Sequence, residues 1–193
     1  MRNMKIYKTM LVAISGALVA SALIGIGTNV KAEEQQAEPS TYEETYLELL
    51  EDESTHAPDL FSQIPSDYTF SSGAGGWGTS LTVYSDGSFE GEFSDSDMGD
   101  DGEGYDSTHY SSVFTGKFVN PVKIDDNIYA FEMESISYEN PVGTEEIVLW
   151  NDGQTRVREI YTDAYGLAEG KTFYLYAPGI QISELPEGCT NWT

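Results

Sequence analysis

From Pro58 onward, the chain is a series of short runs in which apolar and polar residues alternate, and Gly, Asp, Asn or Pro interrupts each run. Alternation with a period of two is typical of β-strands that bury one face, and the interrupting residues are those that tight turns favour. The pattern predicts a series of antiparallel strands joined by turns.

The hairpin around Asp86 and Gly87 can be tested from the sequence, because directly opposed residues of two strands must share a face. A two-residue turn would place Leu81 and Val83 on the same side as two glutamates. A three-residue loop, 85–87, pairs Val83 with Phe89 and leaves the charged residues facing water. The sequence therefore predicts the three-residue loop, with Gly87 in the left-handed conformation.

The same reasoning applies to the segment EEIVLWNDGQTRVREI, residues 145–160. A three-residue loop at 151–153 would pair Ile147 with Val157 on one face and set Glu146 across from Arg158 on the other. This arrangement favours a structural ion pair over a carboxylate-binding site built from the arginines.

Further runs with strand character bring the number of predicted strands to about eight. We predict an all-β domain over residues 58–193, either a single antiparallel β-barrel or a β-sandwich. The further runs are 68–71, 110–119, 128–138 and 172–177.

The first 32 residues have the features of an export signal: a basic start, the uncharged and largely apolar run 10–27, and small residues at Val30 and Ala32 for cleavage. We expect secretion or association with the cell surface, and no stable membrane insertion once the signal is removed. An uncleaved membrane anchor is the alternative, since the apolar run is close to the length that spans a bilayer.

Residues 33–57 form an acidic leader in which Ser40 or Thr41 can cap a short helix, with a glutamate three residues later. Four residues fall at helical spacing and predict one apolar stripe: Tyr42, Tyr46, Leu49 and Leu50. Such a helix is either marginal by itself or docked on the domain or on a partner.

Charge limits the partners. The chain carries 33 acidic and nine basic residues, and removal of residues 1–32 would leave five bases and a net charge of −28. Such a surface repels nucleic acid and anionic lipid. Cations, neutral glycans, apolar ligands and basic proteins are compatible partners, and a single cysteine, Cys189, permits no internal disulfide. We expect a monomer.

Carboxylates and glycines crowd residues 94–106, between a predicted strand that ends near Phe93 and one that starts near Tyr110. A helix–loop–helix calcium loop needs an oxygen ligand at its fifth position and a glycine at its sixth. Counted from Asp95, this segment has Gly99 at the fifth position and Asp100 at the sixth, which is the reverse order. Two interpretations stay open: a solvated loop, or an irregular calcium site in which the ion relieves carboxylate repulsion. The ligands of that site would be Asp95, Asp97, Asp100 and Asp101.

Catalytic signatures are sparse. The predicted mature chain has only His56 and His109 as imidazole bases, and no Gly-x-Ser-x-Gly elbow. We expect His109 to be an exposed loop residue. Stacking on sugars is conceivable for the tyrosines at 161, 165, 174 and 176, although alternation leaves at most one face of the segment 172–177 available for binding.

Two segments carry a family resemblance: FSSGAGGWGTSLTVYSDGSFEGEFSDSDMGD (70–100) and YTDAYGLAEGKTFYLYAPGIQISELPE (161–187). They resemble uncharacterised exported or membrane-tethered proteins of gut Firmicutes, which implies export and no particular activity. The Gly75-Gly76-Trp77 segment and the following Asp86-Gly87 turn are similar to lipocalin-like barrels. This second resemblance implies that Trp77 plugs the base of a barrel.

Together these features predict a secreted or cell-surface acidic β-domain that binds a ligand or a protein partner and is not an enzyme. The alternatives are an extracellular hydrolase that uses acidic residues, and a surface protein stabilised by calcium.

Overall fold

The computed structural model describes residues 11–14, 41–72, 76–150, 153–181, 183 and 185. The described chain is mainly β-structure, as predicted, with two α-helices and one short 3-10 helix. The helices are α1 (Thr41–Glu51), the 3-10 helix (Glu53–Thr55) and α2 (Leu60–Gln63). The strands are β1 (Leu11–Ile14), β2 (Asp67–Ser71), β3 (Trp77–Val83), β4 (Ser88–Asp97), β5 (Ser107–Asp125), β6 (Ile128–Tyr138), β7 (Glu145–Leu149), β8 (Arg156–Tyr161) and β9 (Thr172–Tyr176).

These strands form one sheet in the order β1-β9-β6-β5-β4-β3-β2, and the β7–β8 hairpin joins it at β5. Among the described residues, β1 pairs only with β9 and β2 only with β3, so the sheet is not closed. The prediction of a closed, lipocalin-like barrel is therefore wrong, whereas the all-β fold class is confirmed.

Strand β5 organises the sheet because it is long enough to hold two partners on one edge. Its second half pairs with β6 from Phe114 onward, and its first residues, Ser107 to Ser111, pair with β8. The β5–β8 pairing is parallel, so the prediction of a purely antiparallel sheet is also wrong. The β7–β8 hairpin thereby extends the sheet beyond the end of β6.

The first predicted hairpin is confirmed residue for residue, with Val83 opposite Phe89 and Gly87 at φ 84°. Asp86 stabilises the turn by accepting hydrogen bonds from the backbone N–H of Ser88 at 2.9 Å and from its hydroxyl at 2.6 Å. These two bonds lower the pKa of Asp86 to about 2, and Lys117 contributes in the same direction.

The second predicted hairpin is wrong by one residue. Ile147 lies opposite Arg158, and Val148 lies opposite Val157. The ion pair of Arg158 is consequently made with Glu145 and not with Glu146, with 3.0 Å between Arg158 Nε and Glu145 Oε2.

We call the face of the sheet that carries Phe89 and Phe114 the main face. Its core is rich in aromatic residues, and α2 covers it with Leu60 and Phe61. Two glycines directly opposite these rings make the packing possible: a Cβ at Gly116 would lie 2.2 Å from Cζ of Phe89, and one at Gly91 would lie 2.7 Å from Cζ of Phe114. Each ring therefore covers the glycine across from it.

A second, smaller core lies under α1, which places the leader helix in contact with the domain. Tyr46 is 1% exposed, packs with Val122, Ala130 and Tyr174, and donates a hydrogen bond to the carbonyl of Asn120 at 3.2 Å. The predicted helix is thus present, and it is docked on the sheet. Leu49 and Leu50, two further residues of the predicted apolar stripe, are partly buried and pack against the same core.

Candidate functional site

Three aromatic side chains meet at the end of the main face where β3 begins; we call Phe70, Trp77 and Tyr165 the aromatic group. The ring centroids of Trp77 lie 5.0 Å from those of both Phe70 and Tyr165. The rings of Phe70 and Tyr165 are nearly parallel, 5.9 Å apart. Thr79 fixes the loop that carries Tyr165 by donating its hydroxyl hydrogen to the Tyr165 carbonyl at 3.2 Å.

The aromatic group is anchored on one side and partly exposed on the other. Trp77 packs against the main core, while Phe70 is 39% and Tyr165 is 49% exposed. Large aromatic side chains that remain accessible at the edge of a packed core offer an apolar surface to a ligand. The lipocalin resemblance implied that Trp77 plugs the base of a closed barrel. Because the sheet is not closed, that expectation is wrong.

Polar residues continue from the aromatic group across the sheet. Trp77 lies directly opposite Asp95, and Asp95 lies directly opposite Tyr110, so the three share the main face. Burial raises the pKa of the Tyr110 hydroxyl, and the carboxylates of Asp100, Asp97 and Asp95 act in the same direction, against Arg158. Tyr110 is therefore a protonated donor near neutral pH, set among acceptors.

One further polar atom lies on this face. The hydroxyl of Ser112, two residues beyond Tyr110, is buried and has no hydrogen-bond partner within the described part of the chain. A buried hydroxyl without a partner costs about 1–3 kcal/mol. A hydroxyl group of a ligand that reached Ser112 would remove that cost.

The four aspartates of the predicted calcium site are placed differently from the expectation. Asp95 and Asp97 belong to strand β4, so the connecting loop is 98–106 and not 94–106. Asp97 Oδ1 accepts the backbone N–H of Gly99 at 2.9 Å. The carboxylate of Asp100 contributes to the raised pKa of Tyr110, and Asp101 is exposed.

Within the described ranges, no group of three or more His, Cys, Asp or Glu residues is placed to hold one ion. Calcium binding at the four aspartates therefore stays a prediction of the sequence.

Arg158 lies at the far side of the main face. Besides its ion pair with Glu145, its guanidinium carbon lies 5.7 Å from the centre of the Tyr105 ring. The side chain is 31% exposed. Its charge is therefore engaged structurally, as the sequence predicted for the arginines, although the carboxylate partner differs.

The opposite face of the sheet holds a polar group that the sequence did not predict. His109 lies in β5, is 22% exposed, and its Nδ1 lies 2.8 Å from Glu159 Oε2. The prediction that His109 is an exposed loop residue is thus wrong. Glu159 also accepts a hydrogen bond from the hydroxyl of Ser111, and the His109 ring contacts the exposed Trp150 with 6.3 Å between centroids.

The arrangement of Ser111, His109 and Glu159 differs from that of a catalytic triad with a nucleophilic serine. In an acyl-transfer triad, the imidazole takes the proton of the serine and a carboxylate orients the imidazole. Here Ser111 and His109 both bond to Glu159, so the carboxylate stands between them. The group stabilises the parallel β5–β8 pairing, and its geometry does not assemble the relay that a serine hydrolase needs.

Of the tyrosines predicted to stack on sugars, Tyr165 is the one that belongs to the aromatic group. Every residue of β9 is buried, including Tyr174 and Tyr176, so neither face of this strand is available to a ligand. Tyr165, by contrast, is half exposed next to Trp77. Phe70 carried no sequence signal beyond its place in a strand.

The ends of the chain lie largely outside the described residues. The predicted export signal lies outside the described residues except for 11–14, and Cys189 lies outside them as well. Within the described ranges, no helix combines the length and the apolar character that crossing a bilayer requires. Comparison with family models, curated proteins and solved structures gives no match for this chain.

Proposed function

We propose that this protein is an extracellular binding module of sandwich-like β-architecture, and that its ligand is a neutral saccharide held on the aromatic group. The observation that carries the proposal is the juxtaposition of three aromatic rings with Asp95 and Tyr110 at one end of the main face. Sugar rings present apolar C–H faces that stack on aromatic rings, and they carry hydroxyl groups around their rims. Location outside the cell rests on the export signal predicted at residues 1–32.

The polar groups beside the rings suit hydroxyl groups. The carboxylate of Asp95 accepts hydrogen bonds, and the Tyr110 hydroxyl, whose pKa is raised, donates one. A few polar groups placed beside an apolar surface fix the orientation of a bound ligand. The partnerless hydroxyl of Ser112 on the same face adds a further polar contact for a ligand that penetrates toward the core.

Charge favours a neutral ligand over an anionic one. The net charge predicted after removal of residues 1–32 is −28, and the carboxylates of Asp95, Asp97 and Asp100 all raise the pKa of Tyr110. An anionic sugar or a phosphate would meet like charges both at long range and at the site. A neutral saccharide meets no such repulsion.

Isothermal titration calorimetry of the wild type and of Tyr165→Ala, against a panel of neutral oligosaccharides, tests the proposal. Loss of a stacked ring should weaken binding by at least about tenfold, which corresponds to about 1.4 kcal/mol. Tyr84→Ala is the matched control, because Tyr84 is 45% exposed at the opposite end of β3. Equal affinities of the three proteins for every bound saccharide would contradict the proposal.

The calcium prediction has a separate test. An ion that binds only the folded state raises its melting temperature. If Asp95, Asp97, Asp100 and Asp101 hold calcium, millimolar calcium raises the melting temperature of the wild type and leaves that of a variant with all four residues changed to Asn unaltered. No shift in the wild type would remove the calcium site.

A further inference from the structure

Strand β9 lies next to β1, the outermost strand at one end of the sheet. One side of β9 pairs with β6, and the other side pairs antiparallel with β1, from Leu11 opposite Tyr176 to Ile14 opposite Phe173. Since β1 lies at residues 11–14, the strand that completes this edge comes from within the predicted export signal.

Both faces beside this edge are packed. Phe173 stacks on Phe131 in the main core with 6.1 Å between ring centroids, and Tyr174 and Tyr176 lie in the smaller core under α1. All five residues of β9 are buried. A strand that enters beside β9 therefore adds to a sheet whose two faces are already built, and it needs no rearrangement of the cores.

Removal of the predicted export signal would take away β1, which pairs with β9. Cleavage after Ala32, which the sequence predicts, removes Leu11–Ile14 and leaves the β1 side of Thr172–Tyr176 without its strand. Main-chain N–H and C=O groups at a sheet edge bind an extended peptide by strand addition, and such edges are a recognised docking mode.

We propose that, in the exported chain, the edge of β9 binds an extended, uncharged apolar segment of a partner protein in the antiparallel register that Leu11–Ile14 shows. The chemistry of the occupant follows from the segment seated there, Leu-Val-Ala-Ile, and from β9 itself, Thr-Phe-Tyr-Leu-Tyr, neither of which carries a charge. A second copy of this chain is a poorer occupant, because it would bring together two chains that each carry a net charge of −28.

The inference rests on the predicted removal of residues 1–32 and is independent of the saccharide site. The aromatic group involves β2 and β3, at the other end of the strand order from β9. Substitutions in the aromatic group should therefore leave peptide binding unchanged, and failure of one proposal leaves the other standing.

The test uses the exported protein, with its N-terminus determined by mass spectrometry, beside the full-length chain. The probe is a fluorescein-labelled peptide of residues 9–16, and the control peptide carries Val12→Pro and Ala13→Pro. Because ladder donors alternate along a strand, prolines at two consecutive positions remove one whichever residues face β9. Fluorescence anisotropy measures the affinities.

The exported protein should bind the wild-type peptide at least about tenfold more tightly than it binds the proline peptide, a difference of about 1.4 kcal/mol. The full-length chain, with its edge occupied, should bind the peptide at least about tenfold more weakly than the exported protein. Hydrogen exchange should show new protection at 172–176 when the peptide binds. A cooperative melting transition of the exported protein confirms that the folded chain is being tested.

Several outcomes would overturn the inference. They are equal binding of the two peptides, absence of saturable binding by the folded protein, protection confined to other segments, and a stable homodimer of the exported protein by light scattering. An exported protein that retains residues 1–32 would overturn it as well, since its edge would keep the intramolecular partner.

Discussion

Trp77 and Asp95 lie directly opposite each other on adjacent antiparallel strands, so an indole ring and a carboxylate share one end of the main face. Asp95→Asn keeps the shape of the side chain and removes its charge. Because a hydrogen bond to a charged acceptor is stronger than one to a neutral acceptor by about 1 kcal/mol, we expect roughly fivefold weaker binding of a neutral saccharide. Asp101→Asn, at an exposed position of the neighbouring loop, is the control for calorimetry. Identical losses in both variants would contradict a direct role for Asp95.

Tyr46 ties the leader helix to the sheet, and its replacement tests whether the leader belongs to the folded domain. Tyr46→Ala empties a buried position and should lower the free energy of unfolding by about 3–5 kcal/mol. Tyr46→Phe keeps the ring, removes the hydroxyl that bonds to Asn120 and interacts with Glu132, and should cost about 1 kcal/mol. Leu47→Ala, at a residue 60% exposed on the same helix, should change stability by no more than about 0.5 kcal/mol. Urea denaturation measures all three, and a neutral Tyr46→Ala would show an undocked helix.

Asp86 gives the first hairpin a predictable dependence on pH. Its folded-state pKa of about 2 lies below the ordinary value of 3.8, because the charged form accepts the two hydrogen bonds of Ser88. The stabilisation is therefore fully present above pH 3.8 and is lost as pH falls toward 2. Wild type should be more stable than Asp86→Asn near pH 6, and the difference should shrink between pH 4 and pH 2. A difference that stays constant over this range would exclude the ionised carboxylate as its source.

His109 and Glu159 connect strands that are distant in sequence, and a double-mutant cycle measures their coupling. With both side chains largely buried, the hydrogen bond to the Glu159 carboxylate should contribute about 1.5–3 kcal/mol. The cycle uses His109→Ala and Glu159→Gln. The exposed pair Lys123–Asp126 serves as the control, and its coupling should be much weaker because solvent screens it. Similar coupling in the two cycles would contradict a structural role specific to His109.

The two hairpins show why the sequence predicted one register correctly and missed the other. In the first, a single register places Val83 and Phe89 together and keeps the neighbouring glutamates in water. In the second, apolar residues occupy both alternating faces of 145–150, so alternation does not distinguish the two registers. The structure resolves the ambiguity by burying Val157 completely and leaving Ile147 48% exposed.

The rest of the site depends on contacts between distant parts of the chain. His109 and Glu159 are 50 residues apart and meet through the parallel β5–β8 pairing, which alternation within a strand cannot predict. Tyr165 reaches Phe70 and Trp77 through a loop after β8. The sequence did predict that Asp95, Asp97 and Asp100 lie close together, because they are neighbours along the chain, but it did not predict that their carboxylates raise the pKa of Tyr110.

The central claim is that a neutral saccharide stacks on the aromatic group, and the fluorescence of Trp77 reports this directly. A protein with Trp150→Phe and Trp192→Phe keeps Trp77 as its single tryptophan. Titration with a saccharide that calorimetry shows to bind this protein should shift its emission to shorter wavelength, and the midpoint of the shift should match the calorimetric affinity. Binding that leaves the emission of Trp77 unaltered would contradict the account.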